Sequence, residues 1–263
     1  MSWLSSLPVG TLVLGWLALA LLVAVVARLA VRALVPAAEH DHVQRIASPL
    51  MPALGAAFAI FTALTLSSEA AYLRSAESVV SDEAAAASRL AWAATSPGVQ
   101  SEPIQSALRD YLQTTRAREW SGEAAASGDD PVTGGAIARL EREVRSEAAR
   151  PELRTPASTE LLIALDALTS SRRARVAAAA REIPTLYVLT LVASGLALIA
   201  NAGGLAFRSS LRTSLLVLGL ASVVGLSLAL LFSLSAPWRG PLTVSGHPID
   251  AVVHDLQAGF FDR

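Results

Sequence analysis

The chain has 263 residues, 53% of them hydrophobic, no cysteine and a formal net charge of -1. With a mean hydropathy of +0.48 and a pI near 6.4, it is too apolar for an ordinary soluble core and has no basic field to hold nucleic acid. The absence of cysteine excludes disulfides, thiolate metal sites and cysteine nucleophiles together, so stability must come from helix packing.

The first uncharged run, Val9 to Ala27, is about long enough as a helix for a ~30 Å hydrocarbon core. It has no basic n-region and exceeds the roughly 7 to 15 residues of a cleavable signal's apolar stretch, so it reads as a first span. The second run, Ser48 to Ser68, is expected to start at a Ser48 N-cap with Pro49 at the first helical position, after a short connection His40 to Ala47. No breaker follows, so this helix should continue through Glu69 to Thr95.

The middle segment is punctuated by Ser96-Pro97-Gly98, Gly128-Asp129-Asp130-Pro131, Gly134-Gly135 and Pro151. Between these breakers the expected helices are Ile104 to Trp120, Ala136 to Arg150 and Glu160 to Arg181. Two further uncharged runs, Pro184 to Phe207 and Thr213 to Pro237, are joined by the short Arg208 to Arg212 connection. Runs of about 20 residues are far too long for strands of roughly 5 to 6 residues. The expected fold is therefore all-α: a polytopic membrane protein with four transmembrane helices in two hairpins and a polar helical insert between the second and third. The expected division is 1–68, 69–183, 184–237 and a tail 238–263. An even number of spans puts both termini and the insert on one side, but the arginines on the two sides nearly balance and leave that side open.

Few side chains carry chemical signals. Glu39, His40, Asp41 and His42 form a dense polar cluster of metal-binding residue types, although His40 and His42, two apart, would diverge on a helix. A solvated loop is the plainer reading, and the metal is left unknown. Asn201 is polar within the third span and must find a partner on a neighbouring helix or water in a cavity. Arg172, Arg173 and Arg175, before the third span, read as snorkelling anchors in a monomer or as an anion-attracting ring in a symmetric oligomer. Trp120, at the end of a helix, reads as packing. No glycine-rich phosphate loop, G-x-S-x-G elbow or H-E-x-x-H helix occurs, so neither an enzyme nor a cofactor is expected.

The order of several small motifs resembles the bacterial bestrophin-like membrane family. They are Glu39-His40-Asp41, Glu83-Ala84, Tyr111, Glu119-Trp120, Arg172-Arg173-Ala174-Arg175 followed by Pro184, and Pro237-Trp238-Arg239-Gly240 with Val244. Asp41 stands where the family pattern usually has asparagine, and Trp238 where it has phenylalanine. The resemblance implies four spans in the cell membrane and a homo-oligomer, with a pentamer the expected form. It also implies an ion channel, anions the expected cargo, whose second helix lines the pore with Phe58, Ile60 and Phe61 as a candidate constriction. Bestrophin channels carry a dense acidic run after the fourth span, whereas Asp250 and Asp255 stand apart here, so calcium gating is not implied. The competing reading is a non-conducting scaffold or envelope-stress sensor acting through the polar insert. Only the Glu39 to His42 cluster speaks for a membrane enzyme.

Overall fold

The computed structural model describes residues 9–36, 39–120, 130–180, 185–206, 211–234, 238 and 243–262. Among these the chain is helical throughout: α1 (Val9–Leu34), α2 (His40–Ala93), α3 (Ser101–Glu119), α4 (Pro131–Ala148), α5 (Thr155–Ala179), α6 (Thr185–Leu205), α7 (Leu211–Leu234) and α8 (His247–Gln257), then a 3-10 turn, Phe260–Asp262. Four helices, α1, α2, α6 and α7, are long and apolar enough to cross a membrane.

The chain divides into two compact units. One holds residues 1–71, 182–236 and 240–242, and the other holds 72–181, 237–239 and 243–263. Helix α2 contributes to both.

In the apolar unit α1 packs against both α6 and α7, and α6 against α7. Small residues set these crossings. A Cβ on Gly203 of α6 would collide with the Ala24 carbonyl oxygen of α1 and lie 3.0 Å from its Cα, so the two backbones touch there. Gly225 of α7 likewise sits against α1, where a Cβ would lie 3.1 Å from the Trp16 carbonyl oxygen. Trp16 also stacks on Phe232, with ring centroids 4.9 Å apart. Leu191, Ile199, Ala221 and Leu228 fill the interior.

The start of α2 departs from expectation. No helix begins at Ser48: α2 already runs from His40, and both Pro49 and Pro52 lie inside it. The prolines lack the N–H groups that would bond the Arg45 and Ser48 carbonyls, which locally opens the helix. Asn201 Nδ2 of α6 donates to the Ala47 carbonyl oxygen (3.0 Å) and to Met51 Sδ (3.3 Å) beside that opening. The polar group within apolar α6 thus finds its partner on a neighbouring helix.

In the polar unit the remainder of α2, α3, α4, α5 and α8 share one core built from Val80, Leu90, Leu108, Leu140, Leu161 and Leu168. The Ser96-Pro97-Gly98 breaker forms the turn after α2, with Gly98 at φ 90°, where a residue with a Cβ would be strained. The Gly134-Gly135 pair does not break the chain, because α4 starts before it. Asp130 Oδ1 caps the first turn by accepting from the Val132 (2.9 Å) and Thr133 (3.2 Å) amides, and Pro131 occupies the first turn. Helix α8 was not foreseen from the sequence. It packs on α3 through Ile249, Val252 and Leu256.

Candidate functional site

Charged residues are rarely buried unless paired. The polar unit buries three close together, with a fourth partly buried beside them. Arg175 of α5 directs Nε to Glu83 Oε2 of α2, with Nη2 3.5 Å from Glu83 Oε1, and the same Nη2 is ion-paired with Glu119 Oε2 of α3. The side chains of Arg175, Glu83 and Glu119 are all fully buried. Arg172, one turn earlier on α5, closes the set with Nη2 3.2 Å from Glu119 Oε1. The Tyr111 hydroxyl of α3 donates to Glu83 Oε1. Glu119 Oε1 also accepts from the Asp130 amide (3.2 Å), so the cluster ties α2, α3, α5 and the entry to α4.

Two carboxylates face two guanidiniums, and the formal charges cancel. Burial alone would make the Arg175 guanidinium easier to deprotonate, but Glu83 and Glu119 outweigh it and hold its pKa above the ordinary value. Burial, and then the Glu83 carboxylate, push the Tyr111 phenol well above its usual range. Tyr111 therefore stays a neutral donor.

Trp120 joins this cluster to the C-terminal segment. Arg175 Cζ lies 5.3 Å and Arg116 Cζ 5.1 Å from the Trp120 ring, both cation–π distances. Trp120 Nε1 donates to the Val244 carbonyl oxygen (3.1 Å), and Trp238 meets the Trp120 ring edge-on at 5.8 Å. Arg116 continues outward to grip Asp250 of α8 with both arms, Nε at 2.7 Å and Nη2 at 2.9 Å. Gly246 lies beneath that arginine, and a Cβ there would lie 2.6 Å from Arg116 Nε, so a larger residue would push the guanidinium aside.

The cluster collects Glu83, Tyr111, Glu119-Trp120, Arg172 and Arg175, with Trp238 and Val244 beside it. All of these are among the motif residues that carried the resemblance. Arg172 and Arg175 are turned to carboxylates, while Arg173 is exposed, with its Nε donating to the Thr169 carbonyl oxygen (3.2 Å). In the apolar unit Phe58 is buried against Gly195 and Val224, whereas Ile60 and Phe61 are exposed. Glu39 and His42 are exposed at the start of α2. The side chains of His40 and Asp41, with Pro184, Pro237, Arg239 and Gly240, lie outside the described residues. Among the described residues no group of three His, Cys, Asp or Glu side chains is placed to hold a metal.

Reading Arg172 and Arg175 as anchors or an anion-attracting ring missed the cluster, yet each helix carried a signal. Arg172 and Arg175 continue the buried Leu161, Leu165, Leu168 stripe of α5 at helical spacing. Glu119 does the same after Leu108, Tyr111 and Leu112 on α3, and Glu83 after Ala76 and Val80 on α2. A charge in phase with a buried stripe must be paired.

Comparison with known proteins agrees with the motif order. The profile of the bestrophin-like domain matches residues 18–249. This chain belongs to the bestrophin-like family. A crystal structure of a bacterial bestrophin homologue from Klebsiella pneumoniae, in a single-substitution variant, is similar at a TM-score of 0.71 and 14% identity, covering 93% of this chain and 99% of that one. A second variant of the Klebsiella protein gives a TM-score of 0.68 at 14% identity over 97% of each chain. A crystal structure described as a membrane protein gives 0.70 at 13% identity, covering 95% of this chain and 97% of the other. At these identities the likeness shows a shared fold. No curated protein matches in sequence. The bestrophin-like chain with its apolar helices is a membrane protein.

Proposed function

We propose that this bestrophin-like protein is one subunit of a homo-oligomeric channel for small ions in the cell membrane, with a pore enclosed by copies of α2. In this reading the four apolar helices cross the bilayer as two hairpins, and the polar insert lies outside it. The observation that carries the proposal is the cover given to each apolar helix by its own chain. Only 6% of the most apolar stretch of α2 is buried, against 17% for α1, 39% for α6 and 33% for α7. A helix left so bare, in a family named for channels, is the one available to copies of itself around an axis. Five copies is the expected number.

Ile60 and Phe61 are the constriction candidates that the chain leaves uncovered, and Phe58 supports them from within the bundle. Ion selectivity follows from the resemblance more than from arginines: Arg172 and Arg175 are neutralised by Glu119 and Glu83, and of the three only Arg173 has no carboxylate partner within its own chain among the described residues.

Planar-bilayer recording of the purified protein tests the proposal. Current should be carried by the wild type and rise in Phe61→Ala or Ile60→Ala, and the reversal potential under a salt gradient should give the sign of the permeant ion. A silent wild type under every gradient would overturn the channel reading in favour of the scaffold or sensor.

A further inference from the structure

Helix α5 is apolar on two sides. Leu161, Leu165 and Leu168 are buried in the polar unit, yet the adjacent Leu162 and Ile163 are 42% and 50% exposed. This bulky apolar pair interrupts the polar outer face of the helix between Glu160 and Asp166. The α2 portion of the same unit shows the converse relief: its exposed face presents Ser81 and Ala85, small enough to admit such a pair.

Charge follows the same order. Helices α2 and α5 run antiparallel in this unit, because Tyr72 hydrogen-bonds the Ala178 carbonyl while Glu83, further along α2, meets Arg175, earlier on α5. Carried from the Tyr72 contact along both helices at 1.5 Å per residue, Arg173 comes level with Glu77, Ile163 within two residues of Ala85 and Glu160 beside Arg89. All of these side chains are exposed, and none of the four charged ones has an ion-pair partner within the chain among the described residues. Asp166 falls between the levels of Asp82 and Arg89. Copies related by rotation about an axis along these helices keep every level unchanged, so the outer face of α5 in one copy meets α2 of the next at matched height, with unlike charges at both ends of the strip.

We propose that this α5 face and the outer α2 face of the polar unit are the two halves of a head-to-tail contact between copies of this chain. Leu162 and Ile163 seat on the Ser81 and Ala85 stripe, flanked by Glu160 with Arg89 and Arg173 with Glu77. The proposal deepens the oligomeric reading above and rests on it.

Because the chain has no cysteine, introduced ones have no background. Two differently tagged full-length chains, one Ile163→Cys and one Ala85→Cys, are co-expressed, purified in detergent and oxidised. A disulfide-linked pair carrying both tags is expected from the mixture, and no such band from either chain alone. Native mass spectrometry of the same preparations supplies the second reading: Arg89→Glu should weaken assembly about tenfold, and adding Glu160→Arg should restore it. A discrete multimer with no cross-link and no charge-swap rescue would overturn this surface and leave the channel reading standing. A wild-type monomer would overturn both.

Discussion

Where α1 crosses α6, Gly203 brings two backbones into contact and the join needs no charge. Where α5 crosses α2 and α3, one arginine and two glutamates are buried together with a second, partly buried arginine beside them, and the join depends on their mutual cancellation. The two units of one chain thus solve helix association by opposite means. In a lipid-facing bundle, apolar burial gives no preference between a neighbouring helix and the bilayer, so small residues and close approach supply the attraction. In the polar insert water competes for every charged group, and a buried ion pair holds only while both partners are present. The first kind of joint should fail through added volume and the second through removal of one charge.

The largest effect should come from Arg175→Met. It leaves Glu83 and Glu119 buried without their shared cation, at about 3–5 kcal/mol, read as a lower thermal midpoint for the polar unit. The comparison sharpens with the triple variant Arg175→Met, Glu83→Gln, Glu119→Gln, which removes the stranded charges and should recover part of the loss. Should the single variant unfold no earlier than the wild type, the cluster is not what holds α5.

Tyr111→Phe comes next, deleting a hydrogen bond to a buried carboxylate worth about 1.5–3 kcal/mol. It also has a pH signature. Because the phenol pKa is raised in the folded chain, the unfolded chain loses that proton first, and stability present below about pH 10 falls as pH rises beyond it, by up to about 1.4 kcal/mol per pH unit. Denaturant titrations above pH 10 should show this slope in the wild type and a shallower one in Tyr111→Phe.

What the sequence made legible follows the same division. Long uncharged runs announce the four apolar helices, because lipid demands a length. Their ends were harder: Pro49 looked like a first-turn residue, yet α2 continues eight residues before Ser48, with Asn201 bonded beside the opening. Gly134-Gly135 looked like a breaker, but the Asp130 cap and Pro131 start α4 ahead of it. The ion cluster is harder still, since Glu83 and Arg175 stand 92 positions apart and nothing local pairs them. The motif order named most of its members, whereas their burial could have been read only from charges that keep phase with each helix's apolar stripe.

In the apolar unit, Gly203→Ala adds one methyl against the Ala24 backbone, which cannot rotate away as a side chain could. Separation of α6 from α1 should cost about 1–3 kcal/mol, measured as a lower midpoint in detergent, with little change in the pH slope that belongs to Tyr111.

The smallest effect should be Asp250→Asn, which breaks the fork between Arg116 and α8. Asp250 is half exposed and Arg116 about a third exposed, so solvent screening limits the pair to roughly 0.2–1 kcal/mol even with good two-armed geometry. The difference between wild type and variant should shrink further in 1 M salt, where the Debye length is about 3 Å. Hydrogen exchange of the α8 amides is the sensitive measurement, because global unfolding would barely register so small a change. Faster exchange confined to α8 would show that the ion pair fastens the C-terminal helix. Unchanged exchange would mean that Ile249, Val252 and Leu256 hold α8 on α3 without it, and that charge contributes to the polar unit only where it is buried.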